Sequence, residues 1–347
     1  MERQKIKNLF LSTLRIVSLI IIILFVSIYA YNFYINSTIT EEKITKTALS
    51  NSGLQELPKT PQEKVKAVKN LLNYTKKHIK HTDYKNKEPL PYFPFLKVDW
   101  FDHNPKWIYK TKYGSCEEHA VLFTKFSNSI NITARFVSAP AQDHAWSEVK
   151  INNTWIQVDP SNNIYNQPKT YENQWNYNLS TVRWTKNEKT GYRTNQYTDT
   201  NNLTIKITKT SRKPDDVKIL IYSNYLKKHV KGYNSKQLAL KKETKNEKTN
   251  AILGDAILGD GNYTITAYQP LLPLGKASII GWTTTKTTTL KENTTKQINL
   301  KINQDLTELT ILPNTQKYLE IYSLLFAIGI LSILIYNKYS KKPQKQK

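Results

Sequence analysis

Two largely apolar runs frame the chain, the second with Glu320 near its outer edge. Ile16–Ile35 holds 20 residues and Leu319–Tyr336 holds 18, each long enough to cross the hydrocarbon core of a bilayer. Between them the patterning changes character twice. Thr60-Pro61-Gln62-Glu63 reads as a helix start with an N-cap, a proline at the first helical position and an acid at the third. Val65, Val68, Leu72 and Ile79 then mark one apolar face at helical spacing. Residues 82–112 are rich in aromatic residues and proline, and they read either as one wall of a cleft or as a cap on the core. Ser115 with Glu118 three residues on is a second capping box, which makes Cys116 the first residue of a helix. ITARFV, HAWSEVKI and TWIQVD follow as three short strands, the last two joined at Asn152-Asn153. From Asn202 onward the signal is all strand: LTIKIT, DVKILIYS, QLALKK, YTITAYQ, ASIIGWTTT and KQINLKI alternate between turn residues, the pattern of a β-sandwich. The tandem repeat AILGDAILGD at 251–260 is expected to lengthen a loop between strands.

Charge sets the orientation of this frame. The formal net charge is +24. Arg3, Lys5, Lys7 and Arg15 flank the first apolar run, and Lys338, Lys341, Lys342, Lys345 and Lys347 flank the second. Basic flanks stay on the cytoplasmic side, so both termini are expected in the cytoplasm and residues 36–317 outside. Ile28-Tyr29-Ala30 is a poor cleavage site, and the first run is expected to remain as an anchor. A basic outer domain could bind anionic envelope polymers or simply carry a solvated lysine-rich surface. No nucleic-acid motif is present, and nucleic acid is not an expected partner. One cysteine excludes an internal disulfide. Eight Asn-x-Ser/Thr sequons, at Asn36, Asn73, Asn131, Asn152, Asn178, Asn202, Asn262 and Asn293, suit an exported domain.

That single cysteine lies where chemistry can use it. As first residue of a helix, Cys116 sits at the positive end of the helix dipole, where a thiolate is favoured over a thiol. If the Asn152-Asn153 hairpin is tight, residues whose numbers sum to 305 face each other. Trp146 then lies opposite Asp159, and His144 becomes the diagonal neighbour of Asp159, within side-chain reach. An acid beside an imidazole fixes its tautomer and stabilises its protonated form, so that the imidazole can take a proton from a thiol and deliver it to a leaving group. His119 shares a helix face with Cys116, but a base on the nucleophile's own helix would compete with substrate, so it reads as structural. Glu117 and Glu118 in the first turn oppose a thiolate, which increases the need for a nearby imidazolium. His81, Asp83, His103, Cys116 and His119 contain only one adjacent ligand pair, Cys116 with His119, and no metal site is expected.

Gly-x-Cys at a helix start, His-Ala-Trp opening a strand and a later Trp-x-x-x-Asp-Pro resemble the core of the transglutaminase-like superfamily. The resemblance extends from about Thr60 to Pro168. It implies a papain-like fold in which Cys116 matches the nucleophile, His144 the base and Asp159 the orienting acid, without a cofactor. It leaves the second oxyanion donor open, with Trp107 and Tyr113 as the nearest candidates. The DGNYTITAY run more weakly resembles accessory sandwiches of the carboxypeptidase-regulatory or immunoglobulin-like kind.

The expected architecture is therefore an α+β papain-like, transglutaminase-like domain followed by an all-β sandwich, flanked by two transmembrane helices. Its boundaries are a cytoplasmic N-terminus 1–15, a span 16–35, a stalk 36–59, a catalytic domain 60–180 and a linker 181–201. A sandwich 202–304, a second stalk 305–317, a span 318–336 and a basic tail 337–347 complete it. The expected activity is thiol-dependent acyl transfer at an amide bond, with hydrolysis of a surface or wall peptide or isopeptide ahead of crosslinking. The alternatives are a binding or scaffold protein that keeps the fold without turnover, and a glycan-releasing amidase.

Overall fold

The computed structural model describes residues 12, 16, 19, 23, 26–27, 29–82, 104–175, 178–209, 217–225, 237–244, 250–271, 280–291, 293–303 and 310–311. They fall into two compact units, the larger spanning Ile35–Gln269 and Thr283–Asp305 and the smaller drawn from Met1–Tyr34, Pro270–Trp282 and Leu306–Lys347. In the smaller unit, Ile280 and Gly281 pair with Ile311 and Thr310. Among the described residues no helix is long and apolar enough to cross a membrane. The first apolar run is described at only some positions, and the second lies outside the described residues.

Helices lead the larger unit. α1 (Glu41–Ser52) starts at the N-cap Thr40, whose side chain accepts from Lys43 N–H, and stops at Gly53, φ 71°. It packs on the helices Pro61–His78 and Cys116–Ser129, with Ile44 and Ala48 fully buried. The segment expected to be a stalk is therefore part of the folded domain: its polar composition is that of one exposed helix face, and the buried face repeats every four residues. α2 (Pro61–His78) has the expected capping box between Thr60 and Glu63. Its buried face is Val68, Leu71, Leu72 and Thr75, with Val65 only half-buried.

β1 (Lys80–His81) runs parallel to β2 (Tyr113–Gly114), with α3 (Pro105–Thr111) between them. Residues 83–103, which hold most of the aromatic stretch expected to line a cleft, lie outside the described residues. α4 (Cys116–Ser129) follows, with the Ser115/Glu118 capping box formed and Ala120, Leu122, Phe123 and Phe126 fully buried.

A six-stranded antiparallel sheet receives α4. It is built from β3 (Ala134–Ala139), β4 (His144–Ile151), β5 (Thr154–Asp159), β6 (Ile164–Tyr165), β7 (Arg183–Lys186) and β8 (Lys189–Tyr192), in the spatial order β6-β5-β4-β3-β7-β8. The β4–β5 ladder has the expected register, from Ser147↔Val158 to Ile151↔Thr154. Asn152 and Asn153, at φ 47° and 62°, supply the positive φ that a tight hairpin turn requires. Residues expected to form a linker instead build the β7–β8 hairpin, which extends this sheet next to β3. The short helices α5 (Thr170–Asn173) and α6 (Thr194–Tyr197) deliver Tyr171 and Tyr197 into a cluster with Val137, Ala139, Trp146, Leu179 and Val182.

Among the described residues the C-terminal half is mostly strand: β9 (Thr200–Lys209), β10 (Val217–Ser223), β11 (Gln237–Thr244), β12 (Asn250–Gly259), β13 (Gly261–Pro270), β14 (Ile280–Leu290) and β15 (Thr295–Ile302). β12-β9-β15 form one sheet, and β11-β10-β13-β14 are neighbours in another. Leu203, Ile205 and Ile207 of β9 are buried at alternate positions. The AILGD repeat is not a loop but strand β12. Its ladder to β9 slips between Leu253 and Ala256, where two residues face one, a β-bulge. Because of the slip, Ala251 pairs with Ile207 and Ala256 with Leu203, four rungs apart and hence on the same face. A five-residue repeat would otherwise turn its second copy inside out.

Candidate active site

The site forms where the start of α4 meets the start of β4. Residues 144, 146 and 148 share one face of β4 and residues 145, 147 and 149 the other. The second face rests on α4: Ser147 Oγ donates to the Ala120 carbonyl at 2.9 Å and lies 3.0 Å from Thr124 Oγ1. His144, Trp146 and Glu148 thus point away from the helix body, while the helix N-terminus brings Cys116 to the histidine.

Gly114 permits that approach. A Cβ there would stand 2.2 Å from Glu118 Cβ, because the Glu118 carboxylate folds back to accept from Ser115 N–H at 2.6 Å and from Ser115 Oγ at 2.7 Å. Burial raises the Glu118 pKa, against the hydrogen bonds from Ser115 that lower it. Gly114→Ala is expected to force the first turn of α4 aside and lower stability by about 1–3 kcal/mol, the usual size of an overpacking strain. A thermal melt of the variant against wild type measures it.

His144 stands 2.8 Å from Asp159, Nε2 to Oδ2. The Cys116 sulfur lies near enough to the same ring to influence its charge. An imidazole has two nitrogens, so Nδ1 is the one left for sulfur. Burial works against a charge on His144, but the Asp159 carboxylate and then the Cys116 sulfur outweigh it and raise its pKa to about 10. Asp159 is fully buried. Burial would raise its pKa, yet the opposing His144 charge and the hydrogen bonds it accepts hold it below the usual carboxylate range. Its Oδ1 accepts from Ser161 N–H, Ser161 Oγ and Asn162 N–H at 3.1, 2.7 and 3.2 Å. Its Oδ2 accepts from Asn162 Nδ2 and Tyr171 OH, both at 3.2 Å. Lys76 of α2 ties this turn down by donating to the Ser161 carbonyl.

Aromatic rings enclose the imidazole. Trp146 stacks on it with centroids 5.7 Å apart, while Tyr171 and Trp175 meet it edge-on at 5.3 and 5.5 Å. Trp146 Nε1 donates to Tyr197 OH at 3.0 Å, and Tyr197 OH donates to Glu148 Oε1 at 2.7 Å. Glu148 is fully buried and paired with Arg135 at 2.5 Å, whose guanidinium lies between Trp155 and Trp184 at 3.9 and 4.7 Å from their ring centres. Of these partners, Ser161 and Asn162 carried a local signal, since an Asp followed by Pro-Ser-Asn is turn chemistry. Tyr171, Trp175, Tyr197, Glu148 and Arg135 carried none; only the fold brings them here.

The remaining residues singled out from sequence have the following surroundings. Trp107 is buried in α3, and Tyr113 lies in β2 with Lys80 Nζ 5.6 Å from its ring centre. His119 is fully buried, with Nδ1 2.7 Å from the Ser115 carbonyl. Burial drives its pKa down to about 4, so it braces the first turn of α4 as a neutral ring. Asp83 and His103 lie outside the described residues. Among the described residues no group of three His, Cys, Asp or Glu side chains is arranged to hold a metal ion.

Comparison with known proteins matches residues 52–160 to the transglutaminase-like superfamily core. A peptide-N(4)-(N-acetyl-beta-glucosaminyl)asparagine amidase from Gallus gallus is 34% identical over 82 residues, 23% of this chain and 12% of that protein. The enzyme of the same name from Saccharomyces cerevisiae is 32% identical over 80 residues, 22% of each chain. The chain spans less than a quarter of the length of these relatives. Among solved structures, a TGase aligns at 17% identity and TM-score 0.27 over 39% of this chain and 37% of that one. Rad4-Rad23 bound to a 6-4 photoproduct UV lesion aligns at 16% identity and TM-score 0.33, covering 50% and 46%. Residues 52–160 are thus a transglutaminase-like superfamily domain, carried within a longer α+β chain of several sheets.

Proposed function

We propose that the chain is a thiol acyl-transfer enzyme acting on amide bonds, with Cys116 as nucleophile, His144 as general base and acid, and Asp159 as the residue that orients and charges the histidine. The observation that carries this reading is the buried His144–Asp159 pair, 2.8 Å apart, with the Cys116 sulfur near enough to help raise the His144 pKa. With His144 an imidazolium across the neutral range, sulfur faces a cation, the arrangement that favours a thiolate. The thiolate adds to the amide carbonyl, His144 protonates the departing amine, and water or a second amine then releases the acyl group. Backbone N–H groups at the start of α4 supply one oxyanion contact, and Trp107 or Tyr113 is the proposed source of a second.

Peptide or isopeptide hydrolysis at the cell surface is the leading substrate reading. A second reading, release of a glycan from an asparagine amide, is favoured by the named activity of the relatives that share this segment. The proposed setting is a membrane-anchored outer domain with a C-terminal β-sandwich. Over-half exposure of Ile16, Leu19, Ile23, Val26 and Phe33, exposure of all eight sequon asparagines and the basic flanks support it.

The test is alkylation of Cys116 by iodoacetamide as a function of pH. Wild type is expected to react at pH 6 far faster than a free thiol of pKa about 8.5, and His144→Ala to lose that advantage. Equal profiles in the two proteins would rule out the activated pair. A panel of peptide, isopeptide and glycopeptide amides then separates the substrate readings. Labelling of intact cells with a membrane-impermeant maleimide marks Cys116 only if the domain faces outward.

A further inference from the structure

The C-terminal β half reaches the catalytic histidine through one buried side chain. Ala139 pairs with His144, so only Pro140–Asp143 separate β3 from the residue that faces Cys116. Pro140–Gln142 form a 3-10 turn, and Asp143 is held at φ 54°. What holds this loop is Gln142, 2% exposed. Its Nε2 donates to the Asn178 carbonyl at 2.8 Å and to Ser180 Oγ at 3.0 Å, and its Oε1 accepts from Ser180 N–H at 3.2 Å.

Residues 179–182 are buried in turn, and they are clamped from the opposite side by the β half. The Ser180 carbonyl accepts from Gly259 N–H at the end of β12, at 3.0 Å. Thr181 Oγ1 donates to the Ala239 carbonyl of β11 at 2.8 Å. Gly259 leaves no slack, since a Cβ there would lie 1.9 Å from the Leu179 carbonyl oxygen.

We propose that Gln142 is a positioning residue for His144 and that β11 and β12, through residues 178–182, set Gln142, so that the β half is a working part of the active site and not a spacer. Displacement of these strands moves Asn178 and Ser180, and with them the loop from which His144 emerges. A misplacement of about 1 Å at a catalytic group is enough to cost up to about 100-fold in rate. The consequence is a route by which anything that binds the β half adjusts the thiol.

This inference rests on the activated pair proposed above, and its readout is the ratio of iodoacetamide alkylation rates at pH 6 and pH 9.5 in the purified full chain. A purely structural role would change stability and leave that ratio alone. Gln142→Ala is expected to lower the ratio about tenfold, and Gly259→Ala, outside the catalytic domain, to lower it in the same direction. Ile257→Ala, on β12 but 48% exposed, should keep the wild-type ratio. Should Gly259→Ala not fold, Thr181→Val removes the contact to β11 with less strain. Cooperatively melting variants of Gln142 and of Gly259 or Thr181 that keep the wild-type ratio would overturn the proposal. A wild-type protein without enhanced reactivity at pH 6 would instead remove the activated pair itself, and this inference with it.

Discussion

Asp159→Asn is expected to lower the acyl-transfer rate by about 10⁴-fold, the size of effect seen when the orienting acid of a catalytic triad is neutralised. The substitution keeps the shape of the side chain but removes the charge that outweighs burial at His144. An imidazole left with burial as its main influence is neutral at pH 7, so the cation opposite sulfur disappears. Stability should follow a definite pH pattern. The His144 pKa is raised from 6.5 to about 10, so its contribution is full below about pH 6.5 and is lost as pH rises through about 10. The Asp159 pKa is lowered from 3.8, so its contribution is present above that value and is lost as pH falls through the lower, folded-state one. The difference in melting temperature between wild type and Asp159→Asn should therefore be widest between about pH 4 and 6.5 and narrow on both sides. A gap that widens toward pH 10 would contradict the assignment.

Glu148→Ala should be the most damaging single change to stability in the sheet. It leaves the Arg135 guanidinium, 5% exposed, enclosed between Trp155 and Trp184 without its carboxylate, and it removes the acceptor of Tyr197 OH. Breaking a buried ion pair by deleting one partner typically costs about 3–5 kcal/mol, a large share of the roughly 5–15 kcal/mol that holds a domain together. Denaturant melts give the number directly. Replacing both partners by apolar residues of similar volume, Arg135→Met with Glu148→Leu, should recover much of the loss. A double variant as unstable as Glu148→Ala would show that the hydrogen bond to Tyr197, rather than the stranded charge, carries the effect.

Local chemistry was legible in the sequence, and assembled chemistry was not. The two capping boxes, the Asn152-Asn153 turn and the β4–β5 register depend on residues within a few positions of one another, and each formed as read. The position of Asp159 beside His144 follows from that register alone. Helix α1 was hidden because one buried stripe, Ile44 and Ala48, sits among lysine, threonine and glutamate that face solvent. The β7–β8 hairpin turns at Asn187-Glu188, φ 47° and 65°; glutamate in that conformation is uncommon, so no turn signal announced it. Tyr171, Tyr197 and Gln142 become functional only through partners 12 to 51 positions away, a distance that no local pattern spans.

The slipped ladder of β12 has a consequence for how such a chain can change over generations. Tandem duplication of a short stretch usually disrupts a sheet when the unit is odd, because everything beyond it is presented to the wrong side. Here one copy of AILGD advances the strand by four rungs of β9 and leaves the fifth residue in the bulge. Gain or loss of a whole unit is then neutral for facing, and the edge strand can vary in length by replication slippage while Leu203 and Ile207 keep the same kind of neighbour. In this strand, the reading frame of the gene and the parity of the sheet can drift without coming into conflict.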